Sequence, residues 1–414
     1  MRELICGIDV GSRVVRAVAG EFVEDGRGVR LIGAAEAPAE GVRRGTITSM
    51  EDAVASITAA IEQLERMSGS PVRRAWVSVS GPYVTTRSSR GVVAVARTDG
   101  EVQDGDVERA LEAARAGATP PNFEVLHIIP RAYVLDHQDG IRDPIGMTGA
   151  RLEVDASIIQ AVSAHIRNLT KSVYQAGLEI DDLVLGSLAT AEAVTTPRQR
   201  ELGVTVVNIG ATTTSVVVQE EGDVVHLATI PIGGEHVTSD IAIGLRISLD
   251  QAERVKLAVG TAIADDVKKQ EEIDLEDVAG GVPERVSRRY VAEIIEARME
   301  EIFERVDREL TAAGCSGSLP AGVVLVGGGA KLPGIVEVAR QKLRLPVCVG
   351  KPYAVDSVVE RAFDPGFATA TGLVIWGAAG SGGGRRKGSV VQTMFRPLNT
   401  IVDRTKHAVR GIFS

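Results

Sequence analysis

The sequence predicts an α/β fold of two duplicated halves closed around a ligand cleft, and three stretches carry that expectation. Leu4 to Val18 (LICGIDVGSRVVRAV) is an apolar run that reaches Asp9, turns over Gly11 and Ser12, and leaves as a second apolar run, the pattern of a strand, a tight turn and a strand. Val204 to Val218 (VTVVNIGATTTSVVV) repeats that pattern, with Asn208 and Gly210 in the places of Asp9 and Gly11. Val323 to Ile335 (VVLVGGGAKLPGI) passes from an apolar strand through three glycines toward a helix. Two strand-turn-strand units so far apart imply a duplicated domain, and the cleft between such halves is a favoured place for a ligand.

The turns suit a phosphate and a metal. Glycine lets backbone approach an anion, turn amides donate to phosphate oxygens, and Asp9 could hold a hydrated Mg²⁺. An ordinary hairpin with a turn glycine and a turn aspartate reads the same way. The glycine run could lie against a flat ring or a phosphate, or be a flexible turn. It matches neither GxGxxG nor a Walker A motif, which argues against a Rossmann dehydrogenase and a P-loop enzyme.

Composition bounds the rest. With 414 residues, 44% of them hydrophobic, the chain can bury a large core in two or more domains. Cys6, Cys315 and Cys348 form no CxxC or Cys/His cluster and read as buried small apolar residues of a reducing compartment. No leader pattern opens the sequence and no apolar run approaches the ~20 residues needed to span a bilayer. The net charge of −9 is uneven: from Arg385 onward seven basic residues face one acid, Asp403, so an acidic body carries a basic tail suited to an anionic surface.

In chain order, Leu31 to Ala37 reads as a third strand and Met50 to Met67 as a helix with Val54, Ile57, Ala60, Ile61 and Leu64 on one face. Ala75 to Val79 is a strand. From Tyr83 the texture changes: a helix near Asp106 to Ala116 and two strand-like runs, Glu124 to Leu135 and Arg151 to Val162, suggest a subdomain inserted into the first half. Asn168 to Gly177 reads as a helix, Ile180 to Ser187 as a strand and Leu188 to Val194 as a short connecting helix. In the second half, Ser248 to Val259 and Pro283 to Ala313 read as helices, with an acidic loop or lid, Asp265 to Gly281, between them. Gly322 to Val326 is a strand, Leu332 to Leu343 a helix, and Pro365 to Gly377 the last helix of the body. Glu253 and Lys256, three apart, share a helix face as a surface ion pair or as a pair able to bond a ribose.

Taken together, GIDVGSR, VNIGATTTS, LVGGGA and the small-residue helices SLATAEAV and GFATATGLVIWG resemble the nucleotide fold of actin, sugar kinases and ATP-dependent chaperones. Within that superfamily the chain resembles the bacterial cell-division family FtsA. Ile128 to Ile159 looks like that family's inserted subdomain, and AERVK at 252–256 and VAEIIEARMEEI at 291–302 are similar to it as well. The resemblance covers nearly the whole chain. It implies an actin-like fold of two ribonuclease-H-like domains: a first domain at 1–83 and 164–195, an inserted subdomain at 84–163, a second domain at 196–245 and 315–377, and a further subdomain at 246–314.

It also implies ATP and Mg²⁺ as cofactors. Gly11, Ser12 and Arg13 would approach the terminal phosphates, with Asp9 near the metal and Asn208, Gly210, Ala211, Thr212 and Thr213 forming the second cradle. Glu253 and Lys256 would hold the ribose, and Gly327, Gly328, Gly329 and Ala330 would pack along the adenosine. Arg13 stands where the family usually has Lys, keeping the charge but not the shape. Asn208, Thr212 and Ser215 stand where the second cradle usually has Asp, Gly and Asp. An amide brings no negative charge to a metal and a threonine crowds a phosphate-facing backbone, so ATP binding with slow or absent hydrolysis is expected.

Residues 378–396, rich in glycine and basic residues, read as a flexible linker to a helix at 397–414. Leu398, Ile401, Val402, Val409, Ile412 and Phe413 form its apolar stripe, with Arg404, Lys406 and Arg410 opposite. A terminal helix packed on the body would show such a stripe; the glycine linker and basic flanks favour an interfacial membrane anchor. The resemblance implies an FtsZ-peptide surface around Arg298 and Arg289, self-assembly, other divisome partners, no nucleic acid, and a peripheral place on the cytoplasmic face of the membrane at the septum. A catalytically active ATPase or kinase of the superfamily is the alternative.

Overall fold

The computed structural model describes residues 4–23, 28–280, 283–353 and 355–381. The membrane-binding residues expected from Leu398 to Phe413 lie outside them. The first half opens with β1 (Leu4–Val10), β2 (Val14–Phe22) and β3 (Val29–Pro38), a small hairpin of β4 (Val42–Arg43) and β5 (Thr46–Ile47), then α1 (Met50–Ser68) and β6 (Arg74–Val79). An inserted block follows: β7 (Val84–Ala94), α2 (Asp104–Ala118), β8 (Phe123–Leu135), β9 (Gln138–Ile141) and β10 (Arg151–Val162). α3 (Ser163–Gln175), β11 (Glu179–Leu185), α4 (Gly186–Val194) and α5 (Pro197–Leu202) lead to the second half. That half contains β12 (Val204–Ile209), β13 (Thr214–Glu220), β14 (Asp223–Ile230), α6 (Gly234–Leu245), α7 (Leu249–Val259), β15 (Glu272–Asp274), α8 (Leu275–Ala279), β16 (Arg285–Ser287) and α9 (Arg288–Ala312). β17 (Val323–Val326), α10 (Ile335–Leu343), β18 (Val347–Val349), β19 (Asp356–Ser357) and α11 (Ala368–Ser381) complete the described chain.

The duplication is visible in the sheets. The first has the order β11-β6-β1-β2-β3-β19 and the second β14-β13-β12-β17-β18, so β11, β6, β1, β2 and β3 correspond one to one with β18, β17, β12, β13 and β14. The orientations match too: each first hairpin is antiparallel, as is its third strand, and the two later strands add in parallel. β6 and β17 read as nearly unbroken apolar runs because both faces of these parallel strands are covered. On α1 the buried apolar positions are Ala53, Ile57, Ala60, Ile61 and Leu64, so Ala53 rather than Val54 faces inward.

Small residues set how closely the two halves approach. A Cβ on Gly372 of α11 would collide with the Ala189 carbonyl of α4, and one on Gly7 would collide with the Ala370 carbonyl. Thr190 and Thr369 join α4 to α11 by a hydroxyl pair at 2.8 Å. The inserted sheet, β7-β10-β8-β9, packs α2 on one face through Val107, Ala110 and Ala114 against Val154 and Ile158. The alternation of a strand turns the neighbouring Ile159 and Ala161 into the core of the first half.

Several expectations change. The run Val84–Ala94, for which the sequence pattern predicts no element, is an eleven-residue strand at the edge of the inserted sheet: most of its residues are exposed, while Gly91 is buried against Ala110 of α2 and Val93 packs on the core of the insert. The helix expected from Pro283 begins at Arg288, where the Ser287 hydroxyl accepts from the Tyr290 N–H, and Arg285–Ser287 instead pairs with Glu272–Asp274. The acidic stretch expected as a loop or lid therefore holds a strand and a short helix. α11 continues through Ser381, so the first residues of the expected linker, which include the helix formers Ala378 and Ala379, are helical.

Candidate functional site

The first hairpin presents Asp9 and Ser12 at its tip. Parallel pairing of β1 with β6 brings Ser78 beside Asp9, and the Ser78 hydroxyl donates to Asp9 Oδ1 at 2.6 Å. Burial pushes the Asp9 carboxyl above the usual carboxylate range despite that hydrogen bond and the charge of Arg16, its partner across the hairpin. Ser12 Oγ accepts from the Gly45 N–H at 3.0 Å, which ties the hairpin tip to the β4–β5 turn.

The second hairpin is closed by the Gly210 N–H donating to Thr213 O at 2.9 Å. It rests on the start of α6: the Gly234 N–H donates to Gly210 O (2.9 Å) and the Glu235 N–H to Ala211 O (2.7 Å). A Cβ on Gly233 would lie 2.5 Å from Gly210 O, so the close approach requires glycine there. Asn208 donates through Nδ2 to Thr369 Oγ1 at 3.3 Å, linking this hairpin to the hydroxyl pair on α4 and α11. The glycine run lies against the same strand. Gly327, at φ +86°, has no room for a side chain, since a Cβ would lie 2.5 Å from Ile209 O, and Gly329 is blocked by the Ile209 side chain. Gly328 faces open space.

The hairpins meet. Ser12 Oγ and Thr212 Oγ1 are 3.0 Å apart across the cleft, and the Arg13 guanidinium is 3.6 Å from Glu253. Glu253 pairs with Lys256 at 2.7 Å, and Lys256 Nζ also donates to Gly234 O (3.2 Å) and Thr238 Oγ1 (2.9 Å). Burial pushes the Glu253 carboxyl up, but hydrogen bonds from Lys256 and Thr238 and the charges of Lys256 and Arg13 outweigh it, leaving its pKa lowered. Ser12, Arg13, Thr212, Glu253 and Lys256 thus form one rim. Asn208 with Gly327, Gly329 and Ala330 forms the wall behind the second hairpin.

Sequence reasoning missed Ser78, Gly45, the Gly233-Gly234 pair, Thr238 and Thr369. The duplication could have found Ser78, because β6 is the counterpart of the strand that delivers the glycine run. Arg298 is already engaged, with Asp240 on two nitrogens (2.5 and 2.9 Å) and with Glu301. Arg289 pairs with Asp265 (2.6 Å) and Glu293 (3.3 Å).

Comparison with known proteins identifies this arrangement. Residues 205–372 match the family model "Cell division protein FtsA", and residues 81–160 match "SHS2 domain inserted in FTSA". The chain is 36% identical over 414 residues to the cell division protein FtsA of Pseudomonas aeruginosa, covering 99% of this chain and 98% of that protein. The chain belongs to the FtsA family. FtsA of Bacillus subtilis is 36% identical over 372 residues (90% of this chain, 83% of the relative), and that of Escherichia coli K12 is 32% identical over 383 (91% and 90%). Among solved structures, the PilM-PilN type IV pilus biogenesis complex matches with a TM-score of 0.66 at 19% identity, covering 91% of this chain and 99% of that one. MreB5 of Spiroplasma citri bound to ADP matches with a TM-score of 0.53 at 14% identity (92% and 99%). These two likenesses show the actin-like fold. Among the described residues of this FtsA-family chain, no helix is long and apolar enough to cross a membrane.

Among the described residues no group of three or more His, Cys, Asp or Glu is placed to hold a metal. Mg²⁺ carried by nucleotide phosphates needs less, one carboxylate and several waters, and Asp9 at the hairpin tip fits that demand.

Proposed function

We propose that this FtsA-family chain is a division adaptor that binds ATP in the cleft, assembles in an actin-like manner, ties the FtsZ ring to the cytoplasmic membrane at the septum, and recruits later divisome proteins. The observation that carries the reading is the opposed pair of hairpins, hydroxyl to hydroxyl at 3.0 Å over a wall of obligate glycines, in a chain matching the family along its length. Gly11, Ser12 and Arg13 from one side and Ala211 to Thr213 from the other donate to the phosphates, while Gly210 closes the second turn through its N–H to Thr213 O. Glu253 and Lys256, already placed as a pair, bond the ribose; Gly327 to Ala330 give the adenosine a surface without side chains in its way. Asp9 is the residue that would hold Mg²⁺ arriving with the nucleotide, and the metal would supply positive charge against the phosphates.

Turnover is slow on this reading because the second hairpin offers Asn208 and not a carboxylate, and its amide is hydrogen-bonded to Thr369. The basic tail anchors reversibly: each cation near an anionic leaflet contributes ~1 kcal/mol, so assembly into a multivalent array strengthens retention. Arg298 and Arg289 receive the carboxylates of the FtsZ C-terminal peptide by exchange from Asp240 and Asp265. ATP-dependent pelleting of the full chain with anionic vesicles tests the proposal; equal pelleting with and without ATP would count against it.

A further inference from the structure

A cavity of about 670 Å³ opens beside the first hairpin, outside the cleft, where the β4–β5 turn, the entry to the inserted sheet and the first turn of α3 come together. Its walls carry Arg43, Arg44, Thr46, Thr48, Tyr83 and His165, and no carboxylate. Arg43 and Arg44 are exposed and have no ion pair among the described residues, unlike Arg298 and Arg289. His165 packs against Tyr83 with ring centroids 4.6 Å apart and the rings tilted by 42°, and its Nδ1 is buried without a hydrogen-bond partner. α3, thirteen residues long, begins beside the cavity, and Val162 before it supplies no side-chain cap. Two guanidiniums, two hydroxyls and an imidazole therefore converge with an aromatic platform and no negative group, the chemistry that holds an oxyanion.

We propose that this cavity binds a small free phosphomonoester and that its occupancy is coupled to the nucleotide cleft through Gly45. A volume of this size suits a small molecule, and the Tyr83–His165 pair favours one with a planar or apolar body. The coupling has a short path. Gly45, next to Arg44, donates its N–H to Ser12 Oγ at 3.0 Å and accepts from the Tyr83 hydroxyl at 3.1 Å. Its backbone, at φ +72°, packs on the Ser80 carbonyl with no room for a side chain, so the turn is held close to its neighbours. An anion that draws Arg43 and Arg44 inward shifts the Gly45 amide on Ser12. By linkage, nucleotide and anion then alter each other's affinity by the same factor. The coupling rests on Ser12 being a phosphate-cradle residue; the anion site does not.

The test uses the full chain, phenyl phosphate as probe, and titration calorimetry at constant ionic strength. With ADP saturating, phenyl phosphate binds one site per chain, Arg43→Ala/Arg44→Ala weakens it at least ~10-fold, and His165→Phe, which keeps the ring contact, weakens it measurably. Both arginines are exposed, so an unchanged melting temperature of the double variant serves as the folding control. Absent binding, binding indifferent to the double variant, or an equal response to chloride overturns the site. Retention by phosphatidic acid vesicles without binding of the soluble probe overturns the assignment to a free phosphomonoester. In wild type, phenyl phosphate shifts ATP affinity at least ~5-fold, and in the double variant it does not; binding without that shift overturns the coupling. A chain that binds phenyl phosphate but no ATP overturns the cleft reading and leaves the anion site standing.

Discussion

Asp9 and Asn208 hold equivalent places in the two hairpins but have different neighbours. Ser78 donates to the Asp9 carboxyl in its buried setting, whereas Asn208 donates its amide to Thr369 on the helix that joins the halves. A threonine acceptor suits an amide donor, and an ionised carboxylate there could only accept. Asp9→Ala should therefore abolish ATP-dependent assembly while changing an already slow turnover by less; equal loss of both in a sedimentation and phosphate-release series would contradict this. The glycines of the third stretch are not equivalent either. Gly327→Ala forces a side chain into a left-handed backbone against Ile209 and should cost ~1–3 kcal/mol in denaturant unfolding and weaken ATP. Gly328→Ala, facing open space, should change neither.

At the scale of elements, the inserted sheet is fastened to the first half by His127 of β8. Its Nε2 accepts the Leu185 N–H at 2.9 Å, its ring lies 5.6 Å from Trp376, and burial depresses its pKa to about 4. An unfolded histidine takes up its proton near pH ~6.5, so between there and pH 4 the unfolded chain binds more protons than the folded one. The His127 contribution is full above pH ~6.5 and falls by up to ~3 kcal/mol as the pH drops to 4. Urea midpoints should show that slope in wild type and lose most of it in His127→Phe. On α9, Arg298→Glu should weaken the FtsZ C-terminal peptide at least ~10-fold in an anisotropy titration; unchanged affinity would remove this helix from the peptide surface.

Which elements the sequence revealed follows from the same physics. β1, β12 and β17 were readable because strands covered on both faces must be apolar throughout, and their turns because glycine is required where backbone meets backbone. α1 and α7 announced themselves by periodicity. β7 did not, since an exposed edge strand can be Thr, Ser and Arg along its length. Ser78, Thr238 and Thr369 stayed hidden for another reason: each matters through a partner on another element, and only the pairing of β6 with β1, the packing of α6 on α7, or the crossing of α11 over α4 makes those partners neighbours.

For the whole molecule, the two sheets repeat one design while their hairpins differ, and beside a shared apolar core the halves are joined by specific polar contacts, among them Ser12 with Thr212, Arg13 with Glu253, Thr190 with Thr369 and Asn208 with Thr369. On the proposed reading, such a cleft serves to set the relation of two halves as much as to run chemistry, as an adaptor would need. Reversing the charge of Arg404, Lys406 and Arg410 should release the chain from anionic vesicles at any ATP concentration, and unchanged co-sedimentation would refute the anchor. The most direct measurement is ATP turnover by the full chain assembled on anionic vesicles. Assembly that requires ATP, with turnover far below the ~1–100 s⁻¹ of a kinase, is the expected result; ATP hydrolysis within that range would contradict it.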